Sequence, residues 1–152
     1  MAITLREARE RILEDLAAAL DRVALAIACL GEAYELLDVT TAERLEAELF
    51  RPVQRAYGRG KRTHAEFARR CALPARELES PSSGPRSQGA KGFVERAATA
   101  AAEADAGIAE LQDSMLPIES GDAELRTGLT EVRELLAGVP GASRQFLRTM
   151  GR

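Results

Sequence analysis

Aromatic side chains are scarce in this sequence. Two Tyr, four Phe and no Trp make up 4% of the chain, too few for a core of packed sheets, which draws on aromatic and β-branched residues. Histidine occurs once, as His64. Lys61 stands three residues before it, so the Glu-x-x-His pairs that build di-metal sites in helical bundles are missing. There is also no second histidine to serve as base to a Ser or Cys nucleophile, and no strand-turn-helix elbow to carry one. Cysteine is limited to Cys29 and Cys71, without CxxC spacing, so reduced thiols are expected rather than a disulfide or a metal pair. On a helix His64 and Cys71 would lie about 10.5 Å apart, too far to grip one ion directly. No metal and no cofactor is expected.

Long apolar runs are lacking too. The longest, "VALAIACL" at 23–30, falls well short of the roughly 20 residues that span a bilayer. The opening "MAITLREARERILED" mixes acids and bases and has no signal-peptide core. A cytoplasmic protein that does not engage membranes is the expectation.

What the chain does contain is helical. Its 152 residues, 45% hydrophobic and 30% charged, suit one domain with a real core, 1–152, and Ala, Leu, Glu and Arg dominate. Leu16, Leu20, Val23, Ile27, Leu30, Tyr34 and Leu37 recur at steps of four and three, one continuous helical seam. Thr4 and Glu7 stand at capping-box spacing, which predicts a first helix over about 4–37. A second, over about 41–73, opens at Thr40 or Thr41. Its seam runs through Val53, Tyr57, Gly60, His64, Phe67, Cys71, Pro74 and Leu78. Because the phase persists across Pro52, Gly58 and Gly60, one helix kinked near Pro52 is favoured over two helices, the second capped by Thr63.

Residues 79–92, "ESPSSGPRSQGAKG", have no periodicity and read as a flexible Ser/Gly/Pro-rich link. Beyond it Val94, Ala97, Ala101, Ala104, Ile108, Leu111 and Met115 form a third, alanine-rich seam over 93–116, suited to a close neighbour. "LPIESGD" makes a turn. A fourth helix follows over 122–150, kinked at Pro140 or broken there with Ser143 capping a last short piece. The fold class is therefore all-α: an antiparallel four-helix bundle made of two helical hairpins, 4–37/41–73 and 93–116/122–150. Exchange of hairpins between protomers is the alternative.

One stretch stands out by charge. Residues 51–76 hold eight Lys and Arg against one acid, Glu66, a net +7 in a chain whose total is −3; the remainder carries −10. On the heptad of the second helix Arg55, Arg62, Arg69 and Arg76 all take the outermost position, flanked by Arg51, Arg59, Lys61 and Arg70. A solvated face competes here with docking onto an acidic protein or a second copy of the chain. Nucleic acid is a weaker alternative, because Tyr57 and Phe67 fall on the buried seam and cannot stack on bases. Glu14, Asp21 and Glu35, spaced by multiples of seven, are expected to form a solvated acidic edge.

The architecture resembles that of histidine phosphotransfer domains, four-helix bundles of similar size, which would make His64 the phosphoryl acceptor. In those domains the histidine is typically followed by Lys at the third position and a small residue at the fourth. Here "HAEFA" puts Phe67 and Ala68 there. "GRGKRT" lacks the spacing of a phosphate-binding loop. The function expected is that of a non-catalytic bundle, an adaptor or oligomeric component. It would dock an anionic partner through Arg51, Arg55, Arg59, Arg62, Arg69 and Arg76. Phosphotransfer through His64, nucleic-acid association, and an enzyme or ligand binder with a pocket in the bundle core are the alternatives.

Overall fold

The computed structural model describes residues 4–120 and 122–150. Among these the chain is all-helical, with no strand. Helix α1, Leu5–Leu36, begins with the capping box: the Glu7 amide donates to the Thr4 hydroxyl at 3.0 Å and the Thr4 amide to the Glu7 carboxylate at 3.3 Å. Its seam is buried from Leu16 to Leu30 except at the half-buried Ile27 and then surfaces, leaving Leu37 half-buried and Tyr34 exposed.

The next helix is capped by Asp38, not by Thr40 or Thr41. Its carboxylate accepts from both the amide and the hydroxyl of Thr41, at 2.8 and 3.0 Å. These bonds, the amide first, hold the Asp38 carboxyl below the usual carboxylate range. Helix α2, Val39–Leu45, leads without interruption through a π-helical turn, Glu46–Phe50, into α3, Arg51–Arg70. Proline has no N–H, and its ring presses on the carbonyl four residues back. The wide turn comes just before Pro52, with the Arg51 amide reaching the Glu46 carbonyl.

The second helical stretch ends at Arg70, three residues short of the expected boundary. Ala72 adopts a left-handed conformation with φ +54°, the Leu73 amide returns to the Ala68 carbonyl at 3.0 Å and the Ala72 amide to that of Arg69 at 3.1 Å. This is a Schellman stop with alanine where glycine is usual, followed at once by Pro74. Leu73 is buried and Pro74 exposed, so the periodicity beyond Cys71 is a coincidence of spacing.

Residues 71–85 have no regular structure, a 3-10 turn covers Arg86–Gln88, and α4 is Gly89–Asp113. The third helix thus starts within the expected link, and 89–92 belong to it. The 71–85 segment is tied to α1 and α4: Asp21 receives Arg76 and the Glu79 amide at 2.8 and 2.9 Å, and Arg96 donates to the Ser83 carbonyl at 2.8 Å. A short helix α5, Leu116–Glu119, occupies the expected turn. Asp122 caps α6, Ala123–Ala137, and α7 is Val139–Met150. The interruption falls at Gly138, with Pro140 inside α7, and Ser143 is buried within that helix rather than capping it.

The helices share one core that includes Leu16, Leu20, Phe67, Phe93, Leu129 and Phe146. The widest contact joins α1 to α4, followed by α3 to α6 and α1 to α3. Within the first pair Ala19 faces Gly107 and Arg22 pairs with Glu103; in the second Thr63 faces Gly128 and Arg70 pairs with Asp122. Low numbers meet high numbers, so both pairs run antiparallel. Among the described residues no helix is long and apolar enough to cross a membrane.

Candidate functional site: an arginine face on the second helical stretch

A side chain at the outer position of a packed helix has no partner within its own core, so only its flanks offer neutralising acids. The structure separates the basic residues of 51–76 on this ground. Arg59, Arg70 and Arg76 are used internally. The Arg59 guanidinium pairs with Glu131 of α6 and donates to the Thr63 hydroxyl at 2.9 Å. Arg70 grips Asp122 with two bonds of 2.8 Å and reaches Glu124 at 3.0 Å. Arg76 is not on the helix at all. It lies in the extended segment, 2.8 Å from Asp21 and 3.1 Å from Glu14. Two acids expected to be solvated are therefore its receptors, and the Asp21 side chain is only 13% exposed. Hydrogen bonding to Asp122 and Asp21 raises the two guanidinium pKa values still further.

Arg51, Arg55, Arg62 and Arg69 remain. All four are exposed, and among the described residues no carboxylate lies within 4 Å of any of them. From Arg55 to Arg69 they follow about 21 Å of helix at 1.5 Å per residue. Lys61 beside them sits 5.1 Å from the Tyr57 ring centre. Phe67 is fully buried and Tyr57 half-buried, so neither of these rings is presented for base stacking.

His64 is buried, 3% exposed, with Nε2 3.1 Å from the Leu13 carbonyl oxygen. A carbonyl only accepts, so Nε2 carries the proton and donates. Burial lowers the His64 pKa, against the opposing effect of that hydrogen bond. A nitrogen committed inside the core does not suit phosphoryl transfer. The lowered value also has a consequence for stability. Below about pH 6.5 the unfolded chain protonates first, so stability should fall as pH drops from there toward the folded value, by up to about 1.4 kcal/mol per pH unit. In His64→Met, thermal melts between pH 7 and pH 5 should lose this slope.

Burial raises both cysteine pKa values; Cys29 is in the core and Cys71 half-buried at the end of α3. Among the described residues no group of three or more His, Cys, Asp and Glu side chains is placed to hold a metal ion. Of the glycines that could open space in the core, Gly60 is pressed by Leu20, where a Cβ would stand 2.3 Å from a methyl carbon, whereas Gly107 would meet only Ala19, at 3.8 Å. Gly107 belongs to an outer groove of 590 Å³ between α1 and α4, walled by Arg11, Asp15, Arg22, Glu103 and Glu110. Burial raises the Asp15 carboxyl; Arg11 opposes this, while Glu14 and Glu110 push the same way. This groove lies on the surface of the helix pair, not in the core.

No family model matches the chain, and no curated protein or solved structure does either.

Proposed function

We propose that this is a non-catalytic interaction protein, an adaptor or oligomeric component, built as a four-helix bundle of two antiparallel hairpins joined by the 71–88 segment. It docks an acidic surface, of another protein or of a second copy, through Arg51, Arg55, Arg62 and Arg69. The observation that carries this is the division of the arginines. Arg59, Arg70 and Arg76 have carboxylate partners within the chain, while the four in line on the outer face have none among the described residues. Holding exposed like charges in a row adds nothing to the fold, since such residues repel. A complementary surface converts the same row into orientation and fast encounter. The protein surface is preferred to nucleic acid because Phe67 is buried and Tyr57 half-buried beneath Lys61 and Glu43 and Glu48 stand exposed on the same helical stretch.

The test is retention of partners on the immobilised chain at low salt, with wild type against the combined Arg55→Glu, Arg62→Glu, Arg69→Glu variant. Loss of a bound acidic protein, or of self-association, in the variant is the expected result. Partners held equally by both would remove the basis of the proposal.

A further inference from the structure

Among the exposed charges of 39–70 the sign changes once; the exceptions, Arg44 and Glu66, are half-buried. Glu43 and Glu48 are exposed in the first turns, with Glu46 half-buried near them and Asp38 capping the end. From Arg51 onward the exposed charges are Arg51, Arg55, Lys61, Arg62, Arg69 and Arg70, the last already paired with Asp122. Between them Ala47, Gly58 and Ala65 are exposed and small, so no bulky side chain at those positions holds an approaching helix away. A purely acidic occupant would be drawn to 51–69 and repelled by 38–48. An occupant that suits the whole face has to carry both signs in reverse order along its length. The same face of a second copy, turned antiparallel, does so.

We propose that two copies of the chain associate through this face, antiparallel, about a two-fold axis near Arg51 and Pro52. This rests on the docking role of the arginines and names the partner as the chain itself. An axis there sets Glu48 of each copy opposite the partner subunit's Arg55, in both halves of the interface, and the 38–43 turn opposite residues 60–65. Among the described residues Glu48 pairs only with Arg44, at 3.6 Å and with both side chains exposed. Such a pair is worth about 0–1 kcal/mol and is readily exchanged. With that axis residues 39–64 of the two copies overlap, about 39 Å of helix roughly 10 Å wide, so the two copies would bury on the order of 800 Å², the size of a weak or transient contact. The dimer is therefore weak, micromolar and sensitive to salt.

Charge exchange tests this on the full chain. In a homodimer Glu48→Arg sets arginines opposite each other and Arg55→Glu sets glutamates opposite each other, but a one-to-one mixture of the two variants has only opposite signs at both contacts. Sedimentation at tens of micromolar in low salt should show a wild-type dimer, about ten-fold or more weaker self-association of each variant, and a heterodimer in the mixture that high salt dissociates. Circular dichroism verifies that both variants fold, as expected for two exposed positions. A monomeric wild type, a homodimer indifferent to both substitutions, or a mixture that fails to associate would overturn the inference. If the wild type is monomeric yet still loses an acidic protein partner on reversal of Arg55, Arg62 and Arg69, the docking role stands and only the self-association fails.

Discussion

Gly128→Ala is expected to destabilise the protein by about 2–3 kcal/mol, lowering the melting temperature by roughly 4–12 °C. An added Cβ would lie 2.2 Å from the Thr63 hydroxyl oxygen, 2.7 Å from its methyl carbon and 3.0 Å from its own Cβ. Rotating Thr63 cannot relieve this, because both branches and the branch point are too close. Its hydroxyl is also held by the Arg59 carbonyl at 2.9 Å. Helices α3 and α6 have to separate, and that outweighs the ~1 kcal/mol gained when Ala replaces Gly in a helix. Thr63→Ala in the same chain should return most of the loss, a coupling that a double-mutant cycle in denaturant measures directly. Gly58→Ala provides the opposite sign. It lies on α3 with nothing within 4 Å of a built Cβ, so the propensity gain should appear undiminished as up to about 1 kcal/mol of added stability. Equal effects at the two glycines would show that the close approach of α3 and α6 is absent.

Asp122→Ala should cost about 2 kcal/mol, of which ~1 is the lost helix cap and ~1 the partly exposed pair with Arg70, the upper end for a surface ion pair. One carboxylate does both tasks, accepting from the Leu125 amide at 2.9 Å and from Arg70 at 2.8 Å. Asp122→Asn separates them, since Asn caps a helix well but carries no charge; about 1 kcal/mol is expected. The pH dependence carries a definite sign. Burial alone would raise the Asp122 carboxyl, but the hydrogen bond from Arg70, the Leu125 amide and the Arg70 charge together lower it. A carboxyl whose folded pKa lies below its unfolded value of about 3.9 adds stability above that value and loses it as pH falls through the folded one. Urea titrations from pH 6 to pH 2 should show a shallower acid loss for Asp122→Asn than for wild type. Asp38, lowered by its own cap bonds, leaves part of the slope in place.

The capping box of Thr4 and Glu7 and the buried seam from Leu16 to Leu30 were legible, because both depend on neighbours three or four residues away. The end of α3 was not. Its stop uses Ala72 in a left-handed conformation, a residue that gives no such signal, and the apolar phase happened to continue through Cys71 and Leu78. Pro74 bounds the helix at 73, since a helix usually ends at or before the residue preceding a proline, and the stop at Ala72 comes earlier still. Carrying the heptad past Pro74 places Arg76 on the stripe, although the helix stops at Arg70. That placement also hides the contact of Arg76 with Glu14 and Asp21, whose partners are more than fifty residues apart in sequence. In sequence Asp122 closes a turn and Arg70 flanks the stripe, and nothing local links them.

By itself the sequence determined that the chain is helical, which faces are apolar and where the first and fourth helical stretches begin, since these follow from periods of three and four and from caps made within one turn. It also determined that Arg55, Arg62 and Arg69 face outward. Only the tertiary structure decided which of the eight basic residues have partners, because an ion pair depends on what the next helix brings within 4 Å. It decided as well that His64 is held by Leu13 inside the core, and that Gly60 and Gly128 are points of contact rather than openings. The arginine face is what packing left without an internal use: a side chain pointing away from its own bundle can be neutralised only by something outside it.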